Sequence, residues 1–117
     1  MPTTVGPEGV RRVISEETIQ AVTARLREAA PEATIILFGS HARGEAGPDS
    51  DLDILVVEPS VGARRREMVR LSDALRDLRI PVDIIVVSAH DFETWSDARG
   101  TVLHRAATEG RVLHAAS

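Results

Sequence analysis

Three short apolar runs constrain the fold of this chain more than any other feature of its sequence. Each run has the length of a single strand and is rich in the β-branched residues that buried strands favour. The runs are TIILF at 34–38, LDILVVE at 52–58 and VDIIVVS at 82–88. The sequence therefore predicts a sheet of at least three strands with an aliphatic core.

Stretches with helical spacing of apolar residues surround these strands. Ser15 is expected to cap a first helix that ends before Pro31, and a single helical turn is expected after Ser40. A longer helix is predicted from about 61 to 79 and a short one from Ser88 through Trp95. The order of these elements predicts a small sheet that is covered by helices.

The end of the chain predicts one more helix and an edge strand. The helix runs from about Thr101 to Glu109, and Gly110 is expected as its C′ glycine. The tail 111–117 is expected to add a short strand.

We expect one domain over 1–117, with 1–14 as a loose N-terminal lead-in. The fold class is α/β (α+β), a small mixed β-sheet flanked by helices. The helix between the second and third strands predicts that these two strands are parallel. The loop 39–50 is long enough for the first two strands to run antiparallel.

Composition excludes several classes of function. The chain of 117 residues has no cysteine, which rules out disulfides, thiolate zinc sites and cysteine nucleophiles. A net charge of −4 and an aromatic content of 3% disfavour direct nucleic-acid binding. No apolar segment has the length of a membrane span and the N-terminus lacks a secretory signal, so a cytoplasmic location without membrane association is expected.

Three aspartates occupy the N-terminal ends of the second and third strands. Asp51 and Asp53 share a face by the two-residue period, and Asp83 lies at the same end of the next strand. If the strands are adjacent and parallel, the carboxylates converge, where each pair repels by about 4 kcal/mol at 4 Å. Such an all-oxygen set favours Mg²⁺ or Mn²⁺, and two ions would suit displacement at the phosphorus of a nucleoside triphosphate.

A glycine–serine pair directly follows the first strand. Gly39 would let the backbone approach a phosphate, Ser40 would add a hydroxyl donor, and Arg43 would neutralise phosphate charge. An antiparallel first strand would deliver this pair to the same edge as the carboxylates.

These residues resemble the G-S-x10-D-x-D signature of the DNA polymerase β-like nucleotidyltransferases, and the stretch GSHARGEAGPDSDLDILVV is similar to the minimal nucleotidyltransferase (MNT) family. The resemblance covers about 15–114, with Asp83 in the place of the family's third carboxylate. It implies that Asp51 and Asp53 bind two metal ions, and that Asp83 binds the catalytic ion and helps to deprotonate an acceptor hydroxyl. His41 occupies a variable position and receives no role.

The resemblance also implies a partner. MNT proteins pair with small helical HEPN-domain proteins as antitoxin and toxin, and the antitoxin transfers AMP from ATP to its partner. Because little remains beyond the catalytic core, another molecule must present the acceptor, and homo- or hetero-oligomers are both compatible with the sequence. Two alternatives stay open: an antitoxin that acts by steric capture without catalysis, and a nucleotidyltransferase acting on a small molecule.

Each candidate residue also has a purely structural interpretation. The aspartates could be solvated strand ends, Gly39 a turn residue and Ser40 a helix cap. Arg43 could pair with Glu45 or Asp49. The run Arg64–Arg66 is typical of a solvated helix start.

Overall fold

The computed structural model describes residues 14–47 and 49–116, and its elements follow the predicted order. The helices are α1 (Glu16–Ala29), α2 (Ser40–Arg43), α3 (Arg64–Ala74), α4 (Ala89–Trp95) and α5 (Val102–Glu109), with a 3₁₀ turn at Arg76–Leu78. The strands are β1 (Thr34–Phe38), β2 (Leu52–Glu58), β3 (Val82–Ser88) and β4 (Arg111–His114). Of the predicted lead-in 1–14, all but Ile14 lies outside the described residues.

The four strands form one mixed sheet in the order β3-β2-β1-β4. β2 and β3 are parallel, while β1 is antiparallel to both β2 and β4. The fold class and the parallel pair are therefore confirmed, and the first two strands adopt the antiparallel arrangement that the loop 39–50 allows. The predicted edge strand is also present, as β4.

Helices cover both faces of the sheet. On one face, α1 and α3 bury an aliphatic cluster with the sheet, and its fully buried members include Leu26, Leu37, Ile54 and Leu71. On the other face, α4 and α5 pack over a smaller cluster that contains Phe38 and Leu55. Because alternate residues of a strand face opposite sides, Asp53 of β2 lies on the α4–α5 side with Leu55.

Two of the predicted helix starts are confirmed by their caps. The Ser15 hydroxyl accepts a hydrogen bond from the Thr18 amide, 3.2 Å away. The Ser88 hydroxyl accepts one from the Asp91 amide, 3.1 Å away. Each bond satisfies an amide that the first turn of a helix leaves without a partner.

The helix predicted over about 61–79 is shorter in the structure. It begins at Arg64, and after Ala74 the chain continues as the 3₁₀ turn and reaches Arg79 with φ = 56°. The helical segment stops at the left-handed Arg79, ahead of Pro81, and its last turn tightens from α to 3₁₀ geometry after Ala74, as is common at helix C-termini.

Gly110 follows the last residue of α5, as expected, but it does not adopt the left-handed conformation that is common for a C′ glycine. The residue is extended, with φ = −74° and ψ = 158°. Glycine is needed for space instead, because a Cβ here would lie 2.2 Å from the carbonyl oxygen of Ala106 and 2.5 Å from Cγ2 of Ile36. The close approach brings β4 directly out of α5 and onto β1.

In the part of the chain that the structure describes, no helix is long and apolar enough to cross a membrane.

Candidate active site

The three predicted aspartates lie at one edge of the sheet, the one formed by the first residues of β2 and β3. Asp53 is paired in register with Asp83 across the parallel strands β2 and β3. Asp51 lies one residue before β2 begins, so it belongs to the loop rather than to the strand. Asp51 and Asp83 are exposed, while Asp53 is half-buried. Asp53 and Asp83 are therefore neighbours, as expected from two adjacent parallel strands.

Gly39 brings the end of β1 against the Asp53 carboxylate. The preceding residue, Phe38, pairs with Asp53 across β1 and β2. A Cβ at Gly39 would lie 2.2 Å from Oδ2 of Asp53, and the residue has φ = 76°, in the left-handed region. Both the space and the backbone angle require glycine.

The short helix α2 follows Gly39 and places Ser40 and His41 beside the aspartates. The Gly39 carbonyl accepts hydrogen bonds from the amides of Ala42 and Arg43 at 3.1 and 3.2 Å. Nε2 of the His41 ring lies 3.2 Å from the carbonyl oxygen of Ser50. This contact ties α2 to the residue directly before Asp51.

Burial and like charge act together on Asp53. Burial raises the pKa of Asp53, and the neighbouring carboxylates of Asp83 and Asp51 raise it further. The positive charges of His41 and Arg105 partly oppose this rise in the pKa of Asp53. Burial and like charge thus disfavour the ionised form of this carboxyl group, and a nearby cation would favour it.

The Arg43 side chain forms ion pairs with two carboxylates. Its Nε donates to Oε1 of Glu45 at 3.0 Å, and its Nη1 donates to Oε1 of Glu109 at 3.2 Å. One of the structural alternatives, pairing with Glu45, is therefore present. The phosphate-binding role of Arg43 stays a prediction.

Sequence reasoning gave no role to His41 or Arg105, although the charge of each acts on Asp53. His41 adjoins Ser40 in the sequence, so its position beside the glycine–serine pair was a usable signal. Arg105 comes from α5, far along the chain, and no local pattern links it to the aspartates.

The carboxylate oxygens of the three aspartates are the kind of ligand that Mg²⁺ and Mn²⁺ prefer. Three carboxylates at one edge and the raised pKa of Asp53 favour a hard divalent cation with oxygen ligands. Among residues 14–47 and 49–116, however, no three histidine or carboxylate side chains are already gathered into a metal-binding cluster. With Asp51 and Asp83 exposed, the edge is an open site rather than a preformed cage.

Neighbouring carboxylates are suited to holding the metal ions that enzymes use to act at phosphorus. A family model described as a nucleotidyltransferase domain matches residues 19–113. The chain belongs to this nucleotidyltransferase family. No curated protein sequence matches the chain significantly.

Solved structures share the fold. A chain in a complex of tri-AMPylated HEPN toxin with MNT antitoxin from Shewanella oneidensis is 21% identical, with a TM-score of 0.58, covering 87% of this chain and 73% of that one. A toxin–antitoxin structure with AMP-PNP gives 24% identity and a TM-score of 0.58, covering 89% and 76%. A mutant of the toxin–antitoxin MntA-HpeT is 22% identical, with a TM-score of 0.61, and the match covers 89% of this chain and 76% of that one.

Proposed function

We propose that this protein is a metal-dependent nucleotidyltransferase of the MNT type, which transfers AMP from ATP to a hydroxyl group of a HEPN-domain partner. The observation that carries the proposal is the meeting of Gly39 with the Asp53 carboxylate, which lies in register with Asp83. The family match supports nucleotidyl transfer. The solved complexes of MNT antitoxin with HEPN toxin support the choice of acceptor.

In this proposal the aspartates bind the ions and Gly39–Ser40 bind the nucleotide. Asp51 and Asp53 would hold two Mg²⁺ ions (Mn²⁺ is the alternative), and Asp83 would share the catalytic one. When bound, the ions neutralise phosphate charge and make an acceptor hydroxyl easier to ionise. Every other step depends on the chain's own residues.

Positioning is the main contribution of the protein. With no side chain at Gly39, phosphate oxygens can approach the backbone next to Asp53, and the Ser40 hydroxyl donates to them. Asp83, exposed at the edge of the sheet, accepts the proton of the acceptor hydroxyl. The acceptor oxygen then bonds to the α-phosphorus, while the bond to the leaving pyrophosphate breaks.

The open edge favours a macromolecular acceptor. Asp51 and Asp83 are exposed, and no described segment covers them to form a small-molecule pocket. A partner protein would complete the site by bringing its hydroxyl group to this edge. This is why we favour a protein acceptor over a small molecule.

The test combines purified protein, α-labelled ATP, Mg²⁺ and the helical partner that co-purifies from the native host. We expect label on the partner, and a loss of at least 100-fold with Asp53→Asn, since one essential ligand is removed. Asp73→Asn on α3 is the matched control, because it removes the same charge from the opposite face and should label normally.

Neutralisation of the partner separates the two antitoxin mechanisms. If Asp53→Asn abolishes labelling and neutralisation together, AMP transfer is the mechanism. If neutralisation survives in Asp53→Asn and the wild type adds no label, the protein acts by capture and the proposal is wrong.

A further inference from the structure

One side of α5 faces the short helix α2. Oε1 of Glu109 accepts a hydrogen bond from Nη1 of Arg43, 3.2 Å away. Arg105 precedes Glu109 by one helical turn, and residues four apart lie on the same side of a helix. The Arg105 side chain therefore projects from the side of α5 that is directed towards α2.

The packing of α5 places this side next to the carboxylate edge. Ala106, the neighbour of Arg105, is buried in the same cluster as Phe38. Phe38 in turn pairs with Asp53 across β1 and β2. In keeping with this placement, the positive charge of Arg105 lowers the pKa of Asp53, although burial and the neighbouring carboxylates raise it by more.

The two arginines of this region differ in what they contact. Arg43 is held between Glu45 and Glu109, so its charge is already neutralised. Arg105 is exposed, and within the described residues its side chain makes no hydrogen bond or ion pair. A guanidinium without a partner beside a metal-binding edge suits a polyanionic ligand, because planar guanidinium groups bind phosphate oxygens in pairs.

We propose that Arg105, rather than Arg43, binds the β- and γ-phosphates of the nucleoside triphosphate. This inference rests on the proposed function, since it assigns a residue to the nucleotide of the same site. Arg43 is then a structural residue that joins α2 to α5. Arg105 provides selectivity for a triphosphate over a monophosphate.

The experiment measures the affinity of the full chain for ATP and for AMP in Mg²⁺ by calorimetry. We expect Arg105→Gln to weaken ATP binding about tenfold, which is the effect of losing one charged hydrogen-bonding group. AMP affinity should change less than twofold, because AMP lacks the phosphates in question. Arg105→Lys should recover part of the ATP affinity, since it restores the charge without the planar fork.

Two further variants serve as comparisons. Arg65→Gln removes an exposed arginine from α3, on the opposite face of the sheet, and should leave ATP affinity unchanged. Arg43→Gln should lower the urea midpoint of unfolding, because it removes the contacts with Glu45 and Glu109. Its loss of ATP affinity should be smaller than that of Arg105→Gln. Circular dichroism and urea unfolding check that Arg105→Gln is folded.

The outcomes separate this inference from the proposed function. If the wild type binds ATP and Arg105→Gln binds it within twofold of the wild type, the inference is wrong and the nucleotidyltransferase proposal survives. Equal losses for ATP and AMP would also overturn it, because they would place Arg105 away from the β- and γ-phosphates. If the wild type binds no ATP in Mg²⁺, both are wrong.

Discussion

The carboxyl pair Glu58–Glu67 makes stability depend on pH near neutrality. Glu58 ends β2 and Glu67 lies on α3, and the two side chains are within hydrogen-bonding reach. Oε2 of Glu58 is buried and has no hydrogen-bond partner among the described residues. Two ionised carboxylates offer only acceptors, so a proton on Glu58 is needed to make the bond.

The pKa values of the two groups separate accordingly. Burial, followed by the bond to Glu67, raises the pKa of Glu58 to about 7. The bidentate contact with Arg70, followed by the bond from Glu58, lowers the pKa of Glu67 to about 2. Arg66 of α3 and Glu32 of the loop after α1 are the other charged groups around this pair.

The sign of the effect follows from proton binding. Between pH 4.5, the ordinary value for glutamate, and pH 7, the folded chain holds a proton on Glu58 that the unfolded chain has lost. Stability therefore falls as the pH rises through this window. Glu67 has the opposite effect, because its lowered pKa means that its ionised form stabilises the fold. This stabilisation is lost as the pH falls from 4.5 towards 2.

The expected change in the free energy of unfolding is modest. A pKa of about 7 in place of 4.5 for Glu58 corresponds to about 3 kcal/mol for a fully buried group. Because solvent reaches this pair, we expect about 1–2 kcal/mol. Glu58→Gln keeps a donor for Glu67 and removes the titration, so it should match the wild type near pH 5 and exceed it by that amount at pH 8.

The assay is urea unfolding followed by circular dichroism at pH 5, 6, 7 and 8. The expected gain moves the midpoint of Glu58→Gln upwards by about 1 M urea at pH 8. Other titrating groups affect both proteins equally, so the difference between the two curves isolates Glu58. Glu93→Gln, exposed on α4, is the matched control and should follow the wild type. Parallel curves for Glu58→Gln and wild type from pH 5 to 8 would refute the reasoning.

Two glycine substitutions test the site and the α5–β4 junction. Gly39 and Gly44 both have positive φ (76° and 74°), but only at Gly39 would a Cβ meet Asp53. Gly44→Ala, in the αL region, should lose about 1–2 kcal/mol of stability. Gly39→Ala should lose more, because ψ = −157° places this residue in a region that is almost confined to glycine, and it alone should lose ATP binding in calorimetry. Equal ATP binding by the two would contradict the role given to Gly39. Gly110→Ala should cost about 1–3 kcal/mol in urea unfolding through its clash with Ala106, and a loss no larger than that of Gly62→Ala, which meets no atom within 4 Å, would contradict it.

The sequence determined the elements and the edge where the aspartates meet. Period-two and helical patterns are local properties, so the strands and the caps of α1 and α4 could be predicted from them. The position of Asp53 beside Asp83 followed from one topological rule, because a helical crossover makes β2 and β3 parallel. With the strands parallel and adjacent, equal positions in each strand lie side by side.

Only the tertiary structure decided the contacts between distant segments. The contact of Arg43 with Glu109, the effect of the Arg105 charge on the pKa of Asp53 and the effect of Glu67 on the pKa of Glu58 each depend on how a helix packs against the sheet. Gly110 is a similar case, since its need for glycine comes from the nearness of β1 rather than from its own backbone angle. Local sequence sets which conformation a residue adopts, whereas the partner of a long charged side chain depends on which elements packing brings within its reach.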